Sequence, residues 1–233
     1  MEDNLPDELR EDYLSGKITA GQVIALTAIR TCYSANKPSE IVSLEGEKYF
    51  KRKATEGEGK EVDRLIRHIM KSGHTSTVEH LGFSFAVEGV SRALLSQLTR
   101  HRIGFGFSVQ SQRYVKFSSD SKSEGFDYVV PEKVKANEKA YGEYLSIMDT
   151  YQSHYDHLIR LGIPQEDARS VLPQSATCNL VLTVNLRALL DFYSKRAPKK
   201  GAQFEITQLA EQLKEKVISV EPWCEAFFGG ESK

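Results

Sequence analysis

The sequence predicts an α+β fold: a central mixed or antiparallel sheet with flanking helices, in a single domain over residues 1–233. Three observations carry this expectation. Apolar residues recur at helical spacing over most of the chain. Only three short segments have strand character. Those segments do not alternate regularly with helices, which disfavours a doubly wound sheet.

The elements follow in chain order. Pro6 before Asp7, Glu8 and Leu9 marks a helix start, and Met1–Leu14 reads as helical. Thr19–Tyr33 carries Val23, Ile24, Leu26 and Ile29 among small residues and reads as a buried helix. Residues 34–59 are rich in Lys and Glu and read as a loop or surface insertion. Glu61–Lys71 places Val62, Leu65, Ile66 and Ile69 on one helical face, with Gly73 as the stop. Phe83–Val87 alternates like a strand, and Ser91 caps a helix that runs into Arg100-His101-Arg102. Gly104 and Gly106 read as the start of a loop, Tyr114–Phe117 as a short strand and Pro131–Leu161 as one long helical stretch. Pro164 opens a short helix, Thr177–Val184 is a β-branched strand, and Leu186–Arg196, Phe204–Ile218 and Glu221–Phe228 are helical.

Composition narrows the function classes. The 233 residues include 31 basic and 32 acidic side chains, net −1, without the basic excess of a general nucleic-acid binder. Cys32, Cys178 and Cys224 are odd in number and widely spaced, which fits neither a disulfide framework nor a zinc–thiolate site. The acidic N-terminus has no apolar signal core, and no apolar run is long enough to span a bilayer. The expectation is a cytoplasmic protein with no membrane or nucleic-acid partner and no metal.

Chemistry concentrates in Arg100–Arg113, RHRIGFGFSVQSQR. Three arginines and a histidine lie there without an acid. Guanidinium forks match phosphate geometry, and glycines let backbone amides approach an anion. The stretch reads as a site for phosphorylated ligands. Ser111 lacks a GxSxG elbow, so beside Arg113 it reads as part of a phosphate clamp rather than a nucleophile.

Other clusters are weaker. His74 and His80, with His101, imitate a metal site but have no usual zinc spacing. His80 and Glu79 are read either as satisfying buried polar groups at a strand edge or as contacting a ligand. His154 and His157 fit an exposed helix face. Arg187 and Asp191, four apart, are spaced to pair with each other. A metal-dependent nucleotide hydrolase and a non-catalytic flavin- or nucleotide-binding module remain open on these residues alone.

Five segments in order resemble the flavin-dependent thymidylate synthases: Arg30-Thr31-Cys32-Tyr33-Ser34; Gly73-His74-Thr75-Ser76-Thr77-Val78-Glu79-His80 with Phe83-Ser84-Phe85; Arg100-His101-Arg102, eight residues, Ser111-Gln112-Arg113; Arg169-Ser170-Val171-Leu172-Pro173; and Thr183–Arg187 running to Arg196. The resemblance spans about Ile24 to Phe228 and leaves residues 1–18 as a divergent extension. It implies a homotetramer with shared active sites that converts dUMP to dTMP with FAD, NADPH and 5,10-methylenetetrahydrofolate, without a covalent enzyme nucleophile. Carried over by motif, Ser76, Arg100, His101, Arg102, Ile103, Asn185, Arg187 and Asp191 hold FAD. Gln97, Ser111, Gln112, Arg113, Arg169 and Arg196 hold dUMP, and His74, Ser111 and Arg196 stand at the reaction centre. Val109 departs from the Glu or Gln common two residues before the serine, with Gln110 as a possible substitute, and Asp191 replaces a frequent Asn.

Overall fold

The first helices follow from their caps. In the computed structural model, which describes residues 5–229, α1 spans Asp7–Leu14 behind Pro6. The expected helix over residues 1–4 lies outside the described residues. α2 spans Ala20–Tyr33 and opens on a reciprocal box: Gln22 N donates to Thr19 Oγ1 at 3.2 Å, and Thr19 N donates to Gln22 Oε1 at 3.0 Å. A buried carboxylate completes this end. Glu221 accepts from Gly21 N at 2.8 Å, from Trp223 Nε1, and from the Thr19 hydroxyl. A Cβ on Gly21 would lie 2.5 Å from the Glu221 carboxyl carbon, so the site accepts only glycine without rearrangement.

Residues 34–59 correct the loop expectation. α3 spans Ile41–Phe50 and buries Ile41, Val42, Tyr49 and Phe50. Its apolar face was hidden by Glu47 and Lys48 on the other side and by Glu45, which bonds Arg30, Ser34 and Asn36. α4 spans Glu61–Lys71 and packs on α2 and α3, ending where Gly73 takes φ +80°. A 3-10 segment, Thr75–His80, follows and packs on α2.

β1 spans Gly82–Ser91, α5 Arg92–Leu98 and β2 Phe105–Val109. α5 therefore stops before Arg100-His101-Arg102, which forms a turn rather than continuing the helix. β2 occupies the stretch expected as a loop: Gly104, at φ +74°, makes the reversal, and Gly106 is accepted in the strand beside Thr183. The expected strand at Tyr114–Phe117 begins instead as a turn, with Tyr114 N and Val115 N both donating to Ser111 O. The long helical stretch divides into α6 (Glu132–Lys135) and α7 (Glu138–Arg160), because Asn137 leaves helical geometry to accept from Ala140 N. α8 spans Gln165–Ala168, with a 3-10 turn over Arg169–Val171. β3 spans Thr177–Asn185, α9 Leu186–Arg196, α10 Phe204–Val220 and α11 Glu225–Phe228.

The sheet has the order β1-β3-β2. Ser84 pairs with Thr183, and Arg92 N reaches Ala176 O; Gly106 lies by Thr183, and Gln110 N reaches Asn179 O. Each neighbour of β3 thus runs antiparallel to it. β3 alternates cleanly, with Cys178, Leu180, Leu182 and Val184 buried and Asn179, Val181 and Thr183 exposed. Within the α+β fold two compact units can be described, one drawn from Met1–Phe83, Val184–Lys200 and Ala210–Lys233, the other from Ser84–Thr183 and Gly201–Leu209. A core of Phe117, Phe126, Met148, Tyr155, Ala168 and Ala176 lies in the second unit. Among the described residues no helix is long and apolar enough to cross a membrane.

Tyr155 is fully buried, and its hydroxyl accepts from Phe117 N at 3.2 Å. Tyr155→Phe leaves that buried N–H without a partner. Chemical denaturation should show a loss of about 1–3 kcal/mol with an unchanged m-value.

Candidate functional site

In the second unit the cationic residues are placed by the start of α5. Ser91 is buried, and its hydroxyl accepts from Leu94 N at 3.0 Å. Glu205 then takes both Ser91 N, at 2.7 Å, and the Ser91 hydroxyl, at 2.6 Å. The next residue, Arg92, donates from Nη2 to Gln110 O at 3.1 Å. Its Nε is buried and has no hydrogen-bond partner among the described residues. Arg92 lines a cavity of about 350 Å³ together with Ser96, Gln112, Arg169 and Ser170. Two arginines and a buried amide on one cavity wall suit an acceptor of negative charge.

Of the residues expected to hold substrate, Gln112 and Arg169 line this cavity. Gln112 is buried, and Arg169 Nε donates to Glu166 O at 3.0 Å. Ser111 Oγ accepts from Arg113 N at 3.2 Å, a backbone contact rather than contact with a base. Arg113 corrects one expectation. It has an acidic partner, Glu166, distant in sequence and therefore absent from the local charge count. Both members are exposed, so the pair is worth about 0–1 kcal/mol and is readily exchanged for another anion. Gln97 lies on α5 and contacts Gln203. Gln110 accepts from Asn179 Nδ2 at 3.4 Å, so its side chain is engaged with β3.

The Arg100–Gly104 turn is open. Arg100 and Arg102 are exposed and have no acidic partner among the described residues, and Ile103 is 92% exposed. His101 lies 5.9 Å from the Phe105 ring.

The first unit carries the remaining predicted residues. Asn185 caps α9, accepting from Ala188 N at 2.9 Å. Arg187 and Asp191 do not pair with each other: Arg187 bonds Glu79, and Asp191 bonds Lys195 at 2.7 Å. Arg187 and Asp191 line a groove of about 470 Å³ with Thr75, Lys71, Tyr193 and Phe227. Ser76 is exposed in the 3-10 segment, and Arg196 ends α9. His74 precedes the 3-10 segment, with Nδ1 2.9 Å from the Tyr33 hydroxyl. Glu79 and His80 do not satisfy buried groups; both are exposed, and His80 lines an apolar cavity with Thr27, Ala28 and Cys32. His154 and His157 are exposed on α7, as expected. Among the described residues no three His, Cys, Asp or Glu side chains gather for a metal.

Sequence reasoning missed Arg92. A lone arginine before Ala-Leu-Leu carries no charge pattern; its signal was position, directly after the capping serine. Burial pushes the Cys178 and Cys224 thiols above their ordinary values, so neither offers a thiolate at neutral pH.

The family model "Thymidylate synthase complementing protein" (Thy1) matches residues 14–223. A flavin-dependent thymidylate synthase of Geobacter sulfurreducens is 42% identical over 162 residues, 70% of this chain and 67% of that protein. One from Nitratidesulfovibrio vulgaris is 38% identical over 194 residues, 80% of this chain and 73% of that protein. The crystal structure of a UMP/dUMP methylase, PolB, from Streptomyces cacaoi bound with 5-Br dUMP shares the fold at a TM-score of 0.68 and 24% identity, over 90% of this chain and 91% of that one.

If the Arg92 cavity takes an anion, inorganic phosphate should raise the Tm of the protein in a concentration-dependent way. Arg92→Met should abolish that rise, measured by differential scanning fluorimetry against chloride at equal ionic strength.

Proposed function

Because the chain belongs to the flavin-dependent thymidylate synthase family, we propose that it is an enzyme methylating dUMP to dTMP, with bound FAD, NADPH as reductant and 5,10-methylenetetrahydrofolate as one-carbon donor. The observation that carries the substrate assignment is a cavity lined by two arginines, Arg92 and Arg169, beside the buried Gln112. A nucleotide phosphate supplies the countercharge for the two guanidinium groups.

In this reading Gln97, Ser111, Gln112, Arg113, Arg169 and Arg196 hold dUMP, joined by Arg92. Arg113 exchanges its exposed Glu166 partner for phosphate, a low-cost exchange at a surface ion pair. Arg196 offsets negative charge that develops on the uracil carbonyls as the ring reacts, an electrostatic role that needs a permanently charged donor. Ser76, Arg100, His101, Arg102, Ile103, Asn185, Arg187 and Asp191 hold FAD, with His74 beside the flavin. The exposed guanidinium groups of Arg100 and Arg102 suit its pyrophosphate, since no acid among the described residues neutralises them. When bound, the flavin supplies the hydride chemistry, and the protein supplies binding, orientation and charge. Cys178 and Cys224 are buried thiols and Ser111 Oγ meets a backbone amide; Cys32 is exposed, and in this reading it forms no covalent bond to dUMP. Assembly as a cytoplasmic homotetramer with shared active sites completes the proposal.

Purified protein should show a flavin absorbance spectrum that changes on adding dUMP, and NADPH oxidation should depend on dUMP, with dTMP formed only when the folate is present. A colourless protein that FAD does not reconstitute overturns the reading. Arg113→Ala should raise the dUMP KM at least about tenfold with flavin content unchanged, as loss of a charge-assisted contact predicts. Ser111→Ala, and separate replacement of Cys32, Cys178 and Cys224 by Ser or Ala, should each leave measurable dTMP formation.

A further inference from the structure

Tyr33 ends α2 with its ring 56% exposed, so the core gains little from it. Its hydroxyl has one recorded partner, Nδ1 of His74 at 2.9 Å, and the two rings meet edge to face at 5.9 Å and 88°. We propose that Tyr33 is a positioning residue: its hydroxyl donates to Nδ1, fixes the neutral His74 ring as the Nε2–H tautomer, and leaves that N–H as the donor His74 offers to bound flavin. The proposal rests on the flavin-side role of His74 given above.

The direction of the bond follows from the two groups. A phenol is a better donor than acceptor, and an unprotonated imidazole nitrogen is the stronger base of the pair. In a neutral imidazole the bond made by one nitrogen decides the role of the other. Donation into Nδ1 therefore requires the proton on Nε2, for which no partner is recorded.

Both sides of the contact are held. On the Tyr33 side, Glu45 of α3 accepts from Arg30 Nε at 2.6 Å, Ser34 Oγ at 2.5 Å and Asn36 Nδ2 at 3.0 Å. Burial raises the Glu45 pKa, but the Ser34, Arg30 and Asn36 bonds outweigh it and hold the carboxyl below its ordinary value. It thus stays ionised at neutral pH and clamps the chain before and after Tyr33. On the other side, Gly73 turns at φ +80° with its N–H on Met70 O at 3.1 Å, and Thr77 Oγ1 donates to His74 O at 3.2 Å. An aromatic hydroxyl on an anchored backbone, facing an anchored imidazole, limits the ring to one orientation.

The test is nitrogen-15 NMR of the full chain labelled at its six histidines, with the His74 signals identified by their loss in His74→Gln. The expected spectrum has a protonated Nε2 and an unprotonated, hydrogen-bonded Nδ1. Tyr33→Phe keeps the ring contact and removes the hydroxyl. It should shift the Nδ1 resonance and introduce the second tautomer. In turnover it should lower kcat by about 10- to 100-fold, the range known for partners that orient metal-bound histidines. Flavin content and the KM for dUMP should not change. A protonated Nδ1 in the parent protein, an unchanged His74 spectrum in Tyr33→Phe, or an unchanged kcat in that variant overturns the proposal. Failure of the flavin reading is seen separately, as a parent protein without flavin or dUMP-dependent turnover, whereas the NMR pattern is read on the protein alone.

Discussion

The second unit depends on keeping one short junction dry and fully hydrogen-bonded. At Ser91 a strand ends and a helix begins, and the buried residue must satisfy both its N–H and its hydroxyl there. Glu205 accepts from both, while the Ser91 oxygen still accepts from Leu94 N. That arrangement directs α5 and places Arg92 at its first position. Helix capping is usually counted as a stabilising detail worth about 1 kcal/mol. Here the same bonds also fix where positive charge enters the cavity wall, so fold and electrostatics share one set of atoms.

The charge distribution is local rather than global. A chain of net −1 generates no long-range attraction for polyanions, yet within the second unit Arg92 and Arg169 line a single cavity. Burying a guanidinium donor without a partner is costly in an isolated protein. Two guanidinium groups on one cavity wall make that wall favour an anion over a neutral group. Exposed Arg113, already satisfied by a weak surface partner, contributes charge without a comparable penalty. The two arginines thus differ in role although their side chains are identical.

Much of this was legible in the sequence, and the failures have physical reasons. α2, α4 and α9 are readable from apolar residues at helical spacing and β3 from its β-branched run; Thr19 before α2 and Asn185 before α9 stand at the turns where those helices begin. α3 was missed because charged residues fill its exposed face, and only the buried positions of Ile41, Val42, Tyr49 and Phe50 reveal it. β2 was missed because glycine was taken as a breaker, whereas Gly104 makes a reversal and Gly106 sits within a strand. The cationic stretch announced an anion site by density alone. Arg92 did not, since its importance lies in a missing partner, and Glu166 did not, since the chain brings it to Arg113 from 53 residues away. The family segments identified the chemistry, but no linear pattern distinguishes a guanidinium that is paired from one that is waiting.

The clamp at the start of α2 has a consequence for biosynthesis. Thr19 and Glu221 are 202 residues apart, and the carboxylate that satisfies Thr19, Gly21 N and Trp223 belongs to the later of the two segments. During vectorial synthesis the first long helix therefore leaves the ribosome with its amino end only partly capped, by its own threonine–glutamine box. It remains so until two hundred further residues have been translated. The final closure of the first unit thus waits for Glu221 to emerge, and a nascent chain stalled before Glu221 would present that helix end to water or to a chaperone.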